Sequence, residues 1–173
     1  MMGWFTRKAA PPAAAVAATA RRPVGRRAAI LAICVPLVGG FEGLRQTAYP
    51  DPATKGPPWT VCYGETKGVH RGDHHTVVEC KAMLSASLEG YADKVEACVV
   101  RPMPDAVEAA FVSLAYNIGT GGFCKSSVAR LYNAGDARGA CDAILKFDRA
   151  AGIVFPGLTR RRQAERALCL KGT

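Results

Sequence analysis

Residues 28–41 form a run of fourteen uncharged, mainly apolar residues directly after a pair of arginines. Because apolar side chains are driven out of water, this run must lie in a membrane or in the core of a folded domain. It is shorter than the ~20 residues that a transmembrane helix needs, but a basic flank before a short apolar run is typical of an export signal. No small-residue cleavage site precedes Glu42, so we expect the run to be retained. The alternative is a first core helix over residues 30–44, which Pro36 would weaken.

Charge is unevenly distributed along the chain. The formal net charge is +9, yet residues 1–27 hold six basic residues and no acid, which leaves +3 for the remainder. We expect this Ala-, Pro- and Arg-rich stretch to be a basic, disordered tail. Such tails bind nucleic acids or anionic membrane surfaces. Because nothing downstream resembles a nucleic-acid-binding motif, we expect contact with a membrane and no nucleic-acid partner.

Two carboxylates and a threonine follow the apolar run at intervals of nine residues: Glu42, Asp51 and Thr60. Hydrolysis of a glycosidic bond needs one protonated carboxylic acid and one ionised carboxylate on opposite sides of the sugar. Glu42 follows apolar residues whose burial would favour its protonated form, whereas Asp51 lies in a proline-bracketed turn that would keep it ionised. A threonine hydroxyl can hold a water. The residues alone also allow a simpler interpretation, in which both carboxylates are ordinary solvated charges.

Three blocks around these residues resemble the catalytic segment of the phage-type lysozymes, the T4-like muramidases and lambdoid endolysins of glycoside hydrolase family 24. The blocks are Glu42-Gly43-Leu44-Arg45, Ala48-Tyr49-Pro50-Asp51 and Trp59-Thr60-Val61-Cys62-Tyr63-Gly64. The resemblance implies that Glu42 is the general acid and that Asp51 and Thr60 position and activate the attacking water. Residues 52–59 make the turn a few residues longer than in the shortest members of the family.

Two later blocks carry the resemblance towards the end of the chain: Asn117-Ile118-Gly119 and the run from Gly157 to Glu165 with its Arg161-Arg162 pair. The resemblance implies that Asn117 and Gly119 line the saccharide cleft and that Arg161 meets carboxylates of the substrate. The alternatives are that Gly119 only ends a helix and that the arginines only pack and solvate one.

Local signals predict a series of helices. Thr76 and Glu79 form a capping box that opens a helix ending before Pro102. Its predicted buried face is Cys80, Leu84, Leu88, Tyr91, Val95 and Cys98. Further helices are predicted from Asp105 to a glycine-rich turn at residue 119, over residues 126–133 and 136–147, and from residue 155 to 169.

Seven cysteines suggest an oxidising compartment, since reduced cytosolic proteins rarely carry so many. Six lie in the body of the chain and allow up to three disulfides, with fifteen possible connectivities. The seventh, Cys34, lies in the apolar run, and one hypothesis is that it exchanges with a body cysteine such as Cys62. The alternative is that Cys34 is a small buried apolar residue.

Histidines and an aspartate crowd the loop at residues 70–75. Zinc ligands must converge on one point, whereas the adjacent His74 and His75 tend to point apart. We therefore expect a solvated loop, no metal site and no cofactor.

Together these features predict an α+β, mainly helical, two-lobed lysozyme-like fold with a small β hairpin. We expect a tail over residues 1–27, a signal-anchor-like segment over 28–41, as the resemblance to lambdoid endolysins implies, and a catalytic domain over 42–173. The implied function is a monomeric endolysin, exported to the periplasm by way of a membrane-tethered intermediate, that hydrolyses the β-1,4 bond between N-acetylmuramic acid and N-acetylglucosamine in peptidoglycan. The alternatives are a non-enzymatic cationic lysis protein and a chitin-active or transglycosylating relative.

Overall fold

The computed structural model describes residues 24–50 and 55–173, and in this part of the chain the fold is mainly helical with two small antiparallel sheets. The elements in chain order are α1 (Val24–Glu42), β1 (Arg45–Pro50), β2 (Trp59–Cys62), α2 (Val77–Cys98), α3 (Asp105–Ile118), α4 (Thr120–Cys124), α5 (Ser127–Asn133), α6 (Ala137–Ala143), a 3-10 turn (Ile144–Phe147), β3 (Arg149–Ala150), β4 (Ile153–Val154) and α7 (Pro156–Leu170). The predicted α+β class, the first hairpin and the predicted helices are confirmed.

Helix α3 is the centre of the core. Its nine consecutive residues from Val107 to Ala115 are all buried. A helix that is buried on every side must be surrounded by other elements, and α1, α2 and α7 pack around it. The C-terminal end of α3 reaches the same region of the molecule as the C-terminal end of α1 and the start of α7, which places the candidate site.

The predicted capping box of α2 is present. The Thr76 hydroxyl accepts a hydrogen bond from the Glu79 amide, and the Glu79 carboxylate accepts one from the Thr76 amide. The carboxylate is fully exposed, and hydrogen bonds from the Thr76 backbone and side chain lower its pKa. Residues Cys80, Leu84, Leu88, Ala92 and Val95 form the buried face, close to the predicted set.

A small lobe is built on β1. Tyr49 of β1 pairs with Thr60 of β2 on one edge. On its other edge, the Ala48 amide donates to the Asp73 carbonyl and the His75 amide donates to the Gln46 carbonyl, both at 2.9 Å. The histidine loop thus extends this lobe. The ranges that the structure describes contain no group of histidine, cysteine or acidic residues suited to a metal.

The small lobe is joined to the helices by a hydrogen bond. The Tyr116 hydroxyl of α3 donates to the Tyr63 carbonyl at 2.9 Å. Burial raises the pKa of this hydroxyl, and the nearby Glu42 and Glu65 charges act in the same direction. The hydroxyl therefore remains a donor throughout the physiological pH range.

Helix α1 crosses both of the boundaries that we expected at its ends. It begins at Val24, four residues before the apolar run, and ends at Glu42 with Pro36 inside it. Ile30, Cys34 and Val38 are fully buried in the core. Among the described residues, no helix combines the length and the apolar character that a membrane span requires.

The arginines at the start of α1 are held by acids of α2 and α3, which explains why the helix extends over them. Arg26 lies 2.9 Å from Asp105 and Arg27 lies 2.6 Å from Asp93. Both also reach the fully buried Glu108, at 3.6 and 3.8 Å. Buried or partly buried ion pairs of this kind neutralise charges that would otherwise resist packing.

A second hairpin, β3–β4, was not predicted. Its two-residue loop has positive φ at both positions, 48° at Ala151 and 79° at Gly152, as type I′ hairpin turns require. The strands are only two residues long, too short to show an alternating pattern in the sequence. The hairpin leads directly into α7 and leaves Ile153 and Phe155 exposed.

All six body cysteines are paired, as Cys62–Cys80, Cys98–Cys124 and Cys141–Cys169. Cys34 is free and buried, with its thiol 3.5 Å from the Ala109 carbonyl that accepts its weak hydrogen bond. Burial and the charge of Glu108 raise the pKa of this thiol to about 12. In this conformation Cys34 is therefore the small buried residue of the simpler interpretation, and exchange with Cys62 would require it to leave the core.

We expect Cys34 to resist alkylation in the folded protein. A pKa near 12 lowers the thiolate fraction at pH 8 roughly a thousandfold relative to a free cysteine, and the side chain has no exposed surface. Mass spectrometry after iodoacetamide treatment should show no label on the native protein and one label after unfolding without reductant. Cys34→Ser is the matched control and should take no label in either state. Rapid labelling of the native protein would contradict the burial of this helix.

Candidate active site

Glu42, Asn117 and Arg161 meet at one pocket of about 570 Å³. The pocket is lined by Gly40, Phe41, Glu42, Asn117, Ala150, Phe155, Gly157, Leu158, Arg160 and Arg161. These residues come from the end of α1, the end of α3, the second hairpin and the start of α7. Three of the six candidate site residues are thus brought together. Thr60 and Gly119 are not among the lining residues, and Asp51 lies outside the described residues.

Glu42 is the last residue of α1, and Gly43 follows it with φ of 74°, which turns the chain into β1. The side chain is 24% exposed, and one of its carboxylate oxygens lies 2.5 Å from Nη1 of Arg161. We expected a mainly apolar environment. Phe41 supplies part of one, but the guanidinium of Arg161 lies beside the carboxylate and over the Phe41 ring.

Arg161 is held by several groups at once. Its Nε donates to Glu165 at 3.1 Å, and its Nη2 donates to the Ser113 carbonyl at 3.2 Å. The side chain is only 4% exposed. The donors of Arg161 in these contacts are directed at protein acceptors, one of which is the Glu42 carboxylate. The predicted contact of Arg161 with the substrate stays a prediction.

Glu165 and Arg162 extend the contacts of Arg161 into the core and form a hydrogen-bonded network with it. Arg162 donates to Glu165 at 2.7 Å and also to the amide oxygen of Asn117. The Ser113 hydroxyl donates to Glu165 at 2.7 Å. Burial raises the pKa of Glu165, while Arg162, Ser113 and Arg161 act in the opposite direction. The network fixes both Asn117 and Arg161, so it determines the shape of the polar wall of the pocket.

Thr60 and Gly119 occupy other positions in the fold. Thr60 is 9% exposed and lies in β2, opposite Tyr49. Gly119 separates α3 from α4 with φ of 79°, a conformation that glycine adopts without strain. Gly119 thus serves as a helix end, which was the alternative interpretation, and its predicted contact with a saccharide stays a prediction.

Sequence reasoning did not single out several residues that the structure places at the site. Arg162, Glu165 and Ser113 form the buried network, and Phe155 and Arg160 line the pocket. Arg160, Arg162 and Glu165 lie within the Gly157–Glu165 block that carries the family resemblance. Ser113 and Phe155 had no detectable signal, because a serine on an apolar helix and a phenylalanine before a proline are ordinary residues.

Comparison with known proteins supports the resemblance seen in the sequence. The family model described as phage lysozyme matches residues 39–165. The chain belongs to the phage lysozyme family. It is therefore a glycoside hydrolase of the lysozyme type, as expected.

Curated members of this family include the SAR-endolysin of Enterobacteria phage P21, which is 35% identical over 149 residues, 86% of this chain and 90% of the relative. The SAR-endolysin of Bacteriophage PS119 is also 35% identical over 149 residues, which make up 86% of this chain and 89% of the relative. Both relatives match 86% of this phage lysozyme, so the similarity extends well beyond the catalytic segment.

Solved structures agree on the fold. The muramidase domain of SpmX from Asticaccaulis excentricus has a TM-score of 0.73 and 33% identity, covering 79% of this chain and 93% of that one. A lysozyme of phage P22 has a TM-score of 0.71 and 30% identity, and the match covers 79% of this chain and 94% of that one. The predicted lysozyme-like fold is confirmed for this family member.

Proposed function

We propose that this protein is an endolysin that hydrolyses the β-1,4 bond between N-acetylmuramic acid and N-acetylglucosamine in bacterial peptidoglycan. The single observation that carries this proposal is the pocket at the end of α1, into which Glu42 projects beside Arg161 and Asn117. Its volume of about 570 Å³ is in the range of small-molecule sites and suits part of a saccharide chain. The family assignment supplies the reaction class.

Glu42 is proposed as the general acid that protonates the departing glycosidic oxygen. It stands at a pocket wall with a quarter of its surface open, so a substrate oxygen can reach it. The exposed rings of Phe41 and Phe155 offer flat apolar surfaces for the faces of sugar rings. Asn117, whose amide oxygen accepts a hydrogen bond from Arg162, can offer its amide hydrogens to sugar hydroxyls or acetamido groups.

Asp51 and Thr60 are proposed to hold and activate the water that attacks from the opposite side of the sugar. This assignment follows from their positions in the family-like segment. It implies an inverting reaction and a separation on the order of 6.5–9.5 Å between the Glu42 and Asp51 carboxyl groups. A separation of roughly 5 Å would instead make Asp51 a nucleophile.

The site of action is proposed to be the periplasm of the bacterial host. The curated relatives are named SAR-endolysins, and this chain shares with them the segment that forms α1. A basic flank before that segment and three disulfides in the body fit export from the cytosol. The apolar segment is proposed to tether the protein to the inner membrane before release.

Product analysis tests the proposed reaction. Purified peptidoglycan should be digested with the protein, reduced with borohydride and analysed by mass spectrometry. Hydrolysis of the proposed bond should give muropeptides that end in reduced N-acetylmuramic acid. Reduced N-acetylglucosamine would show that the other glycosidic bond is cut, and anhydro-muramic ends would show transglycosylation. Lysis of cells without any soluble muropeptide would instead favour the non-enzymatic alternative.

A further inference from the structure

The three consecutive arginines of α7 have different environments. Arg161 and Arg162 are 4% and 0% exposed, and both are bound to Glu165. Arg160 is exposed, lines the pocket, and makes no hydrogen bond or ion pair with any residue that the structure describes. The cation that the pocket offers to a ligand is therefore Arg160, and not the Arg161 that the sequence suggested.

The charge of the pocket lining favours an anion. Arg161 lies 2.5 Å from Glu42 and 3.1 Å from Glu165, and Arg162 lies 2.7 Å from Glu165 behind the wall, so both of these arginines already have acidic partners. The charge of Arg160 remains uncompensated by the other lining residues. A guanidinium on the wall of a pocket can bind a carboxylate through two parallel N–H donors, which makes the contact stronger and more directional than that of a single charge.

We propose that Arg160 binds a carboxylate of the peptide stem carried by the muramic acid of the substrate. This proposal rests on the proposed function and adds a determinant of specificity to it. A peptide-bearing glycan carries such carboxylates, whereas chitin, which has the same acetamido sugars, is neutral. Arg160 thereby distinguishes wall glycan from chitin at a position beside, and separate from, the proton donor.

A chemical double-mutant cycle tests this role. The two probes are a soluble peptide-bearing glycan tetrasaccharide with free carboxylates and the same compound after methylamidation of those carboxylates. For the full-length protein the ratio of kcat/KM on the free probe to that on the amidated probe should be well above one. Arg160→Ala should lower that ratio about tenfold, through KM, because a charged hydrogen bond is lost only with the free probe.

Two further variants serve as controls. Arg160→Lys keeps the charge without the paired donors and should restore part of the ratio. Arg130→Ala removes the same charge from an exposed position of α5 that is not part of the pocket lining, so its ratio should equal that of the parent. An unchanged ratio in Arg160→Ala, or an equal loss on both probes, overturns the inference. A parent protein that cleaves neither probe would overturn the proposed function, and the inference with it.

Discussion

Replacing Glu42 with glutamine is expected to lower kcat/KM for peptidoglycan by about 10²–10⁴-fold. Glutamine has nearly the shape of glutamate but cannot donate a proton to the leaving oxygen. Its amide oxygen can still accept a hydrogen bond from Arg161, whose Nη1 lies 2.5 Å from the Glu42 carboxylate in the parent. The loss should therefore appear in kcat while the fold and substrate binding are kept. Turbidity clearance of purified peptidoglycan gives the rate, and thermal unfolding reports the fold.

Glu89→Gln is the matched control for this prediction. Glu89 lies on an exposed position of α2 and is not among the residues that line the pocket. The same chemical change there should leave both the clearance rate and the melting temperature unaltered. If Glu42→Gln clears peptidoglycan as fast as the control, Glu42 does not act as the acid and another carboxylate must be sought.

Removal of the Glu165 carboxylate is expected to produce the largest loss of stability. Glu165→Ala leaves Arg161 and Arg162 without their shared partner at positions that are 4% and 0% exposed. Breaking a buried ion pair from one side costs about 3–5 kcal/mol. For a domain of this size that corresponds to a fall in Tm on the order of 10 °C. Differential scanning calorimetry of the oxidised protein measures it directly.

Glu89→Ala removes an equal charge from the surface and should change the stability by less than about 0.5 kcal/mol. Activity should also fall in Glu165→Ala at temperatures where the protein stays folded, because Arg161 then loses one of the groups that orient it towards Glu42. A melting temperature no lower than that of the surface control would show that the arginine pair finds other partners, and that the network is not the main support of this wall.

Much of the helical fold could be predicted from local signals. The capping box at Thr76 and Glu79 is a side-chain interaction within four residues, so its meaning does not depend on the rest of the chain. The helix predicted from Asp105 to residue 119 likewise rests on a local signal, because residues 107–115 are mainly apolar and all nine are buried. In both cases the information needed lies within one element.

The candidate site was predicted less completely, because its contacts join distant parts of the chain. Arg161 and Glu42 are 119 residues apart in the sequence. No local pattern indicates which of the three adjacent arginines are buried and which is exposed. That choice follows from the packing of α7 against α3, where Ser113 and Glu165 receive two of the three guanidinium groups. The second hairpin was missed because its strands are very short.

Helix α1 carries Arg26 and Arg27 in its first turn and ends with Glu42, and this continuity has a mechanical consequence. Its first turn is fastened to acids of the neighbouring helices, and its last residue supplies the proposed proton donor. Because one continuous helix carries both, any displacement of its N-terminal end from the body would also withdraw Glu42 from the pocket. Packing of α1 against the body and assembly of the proposed active site would therefore occur together.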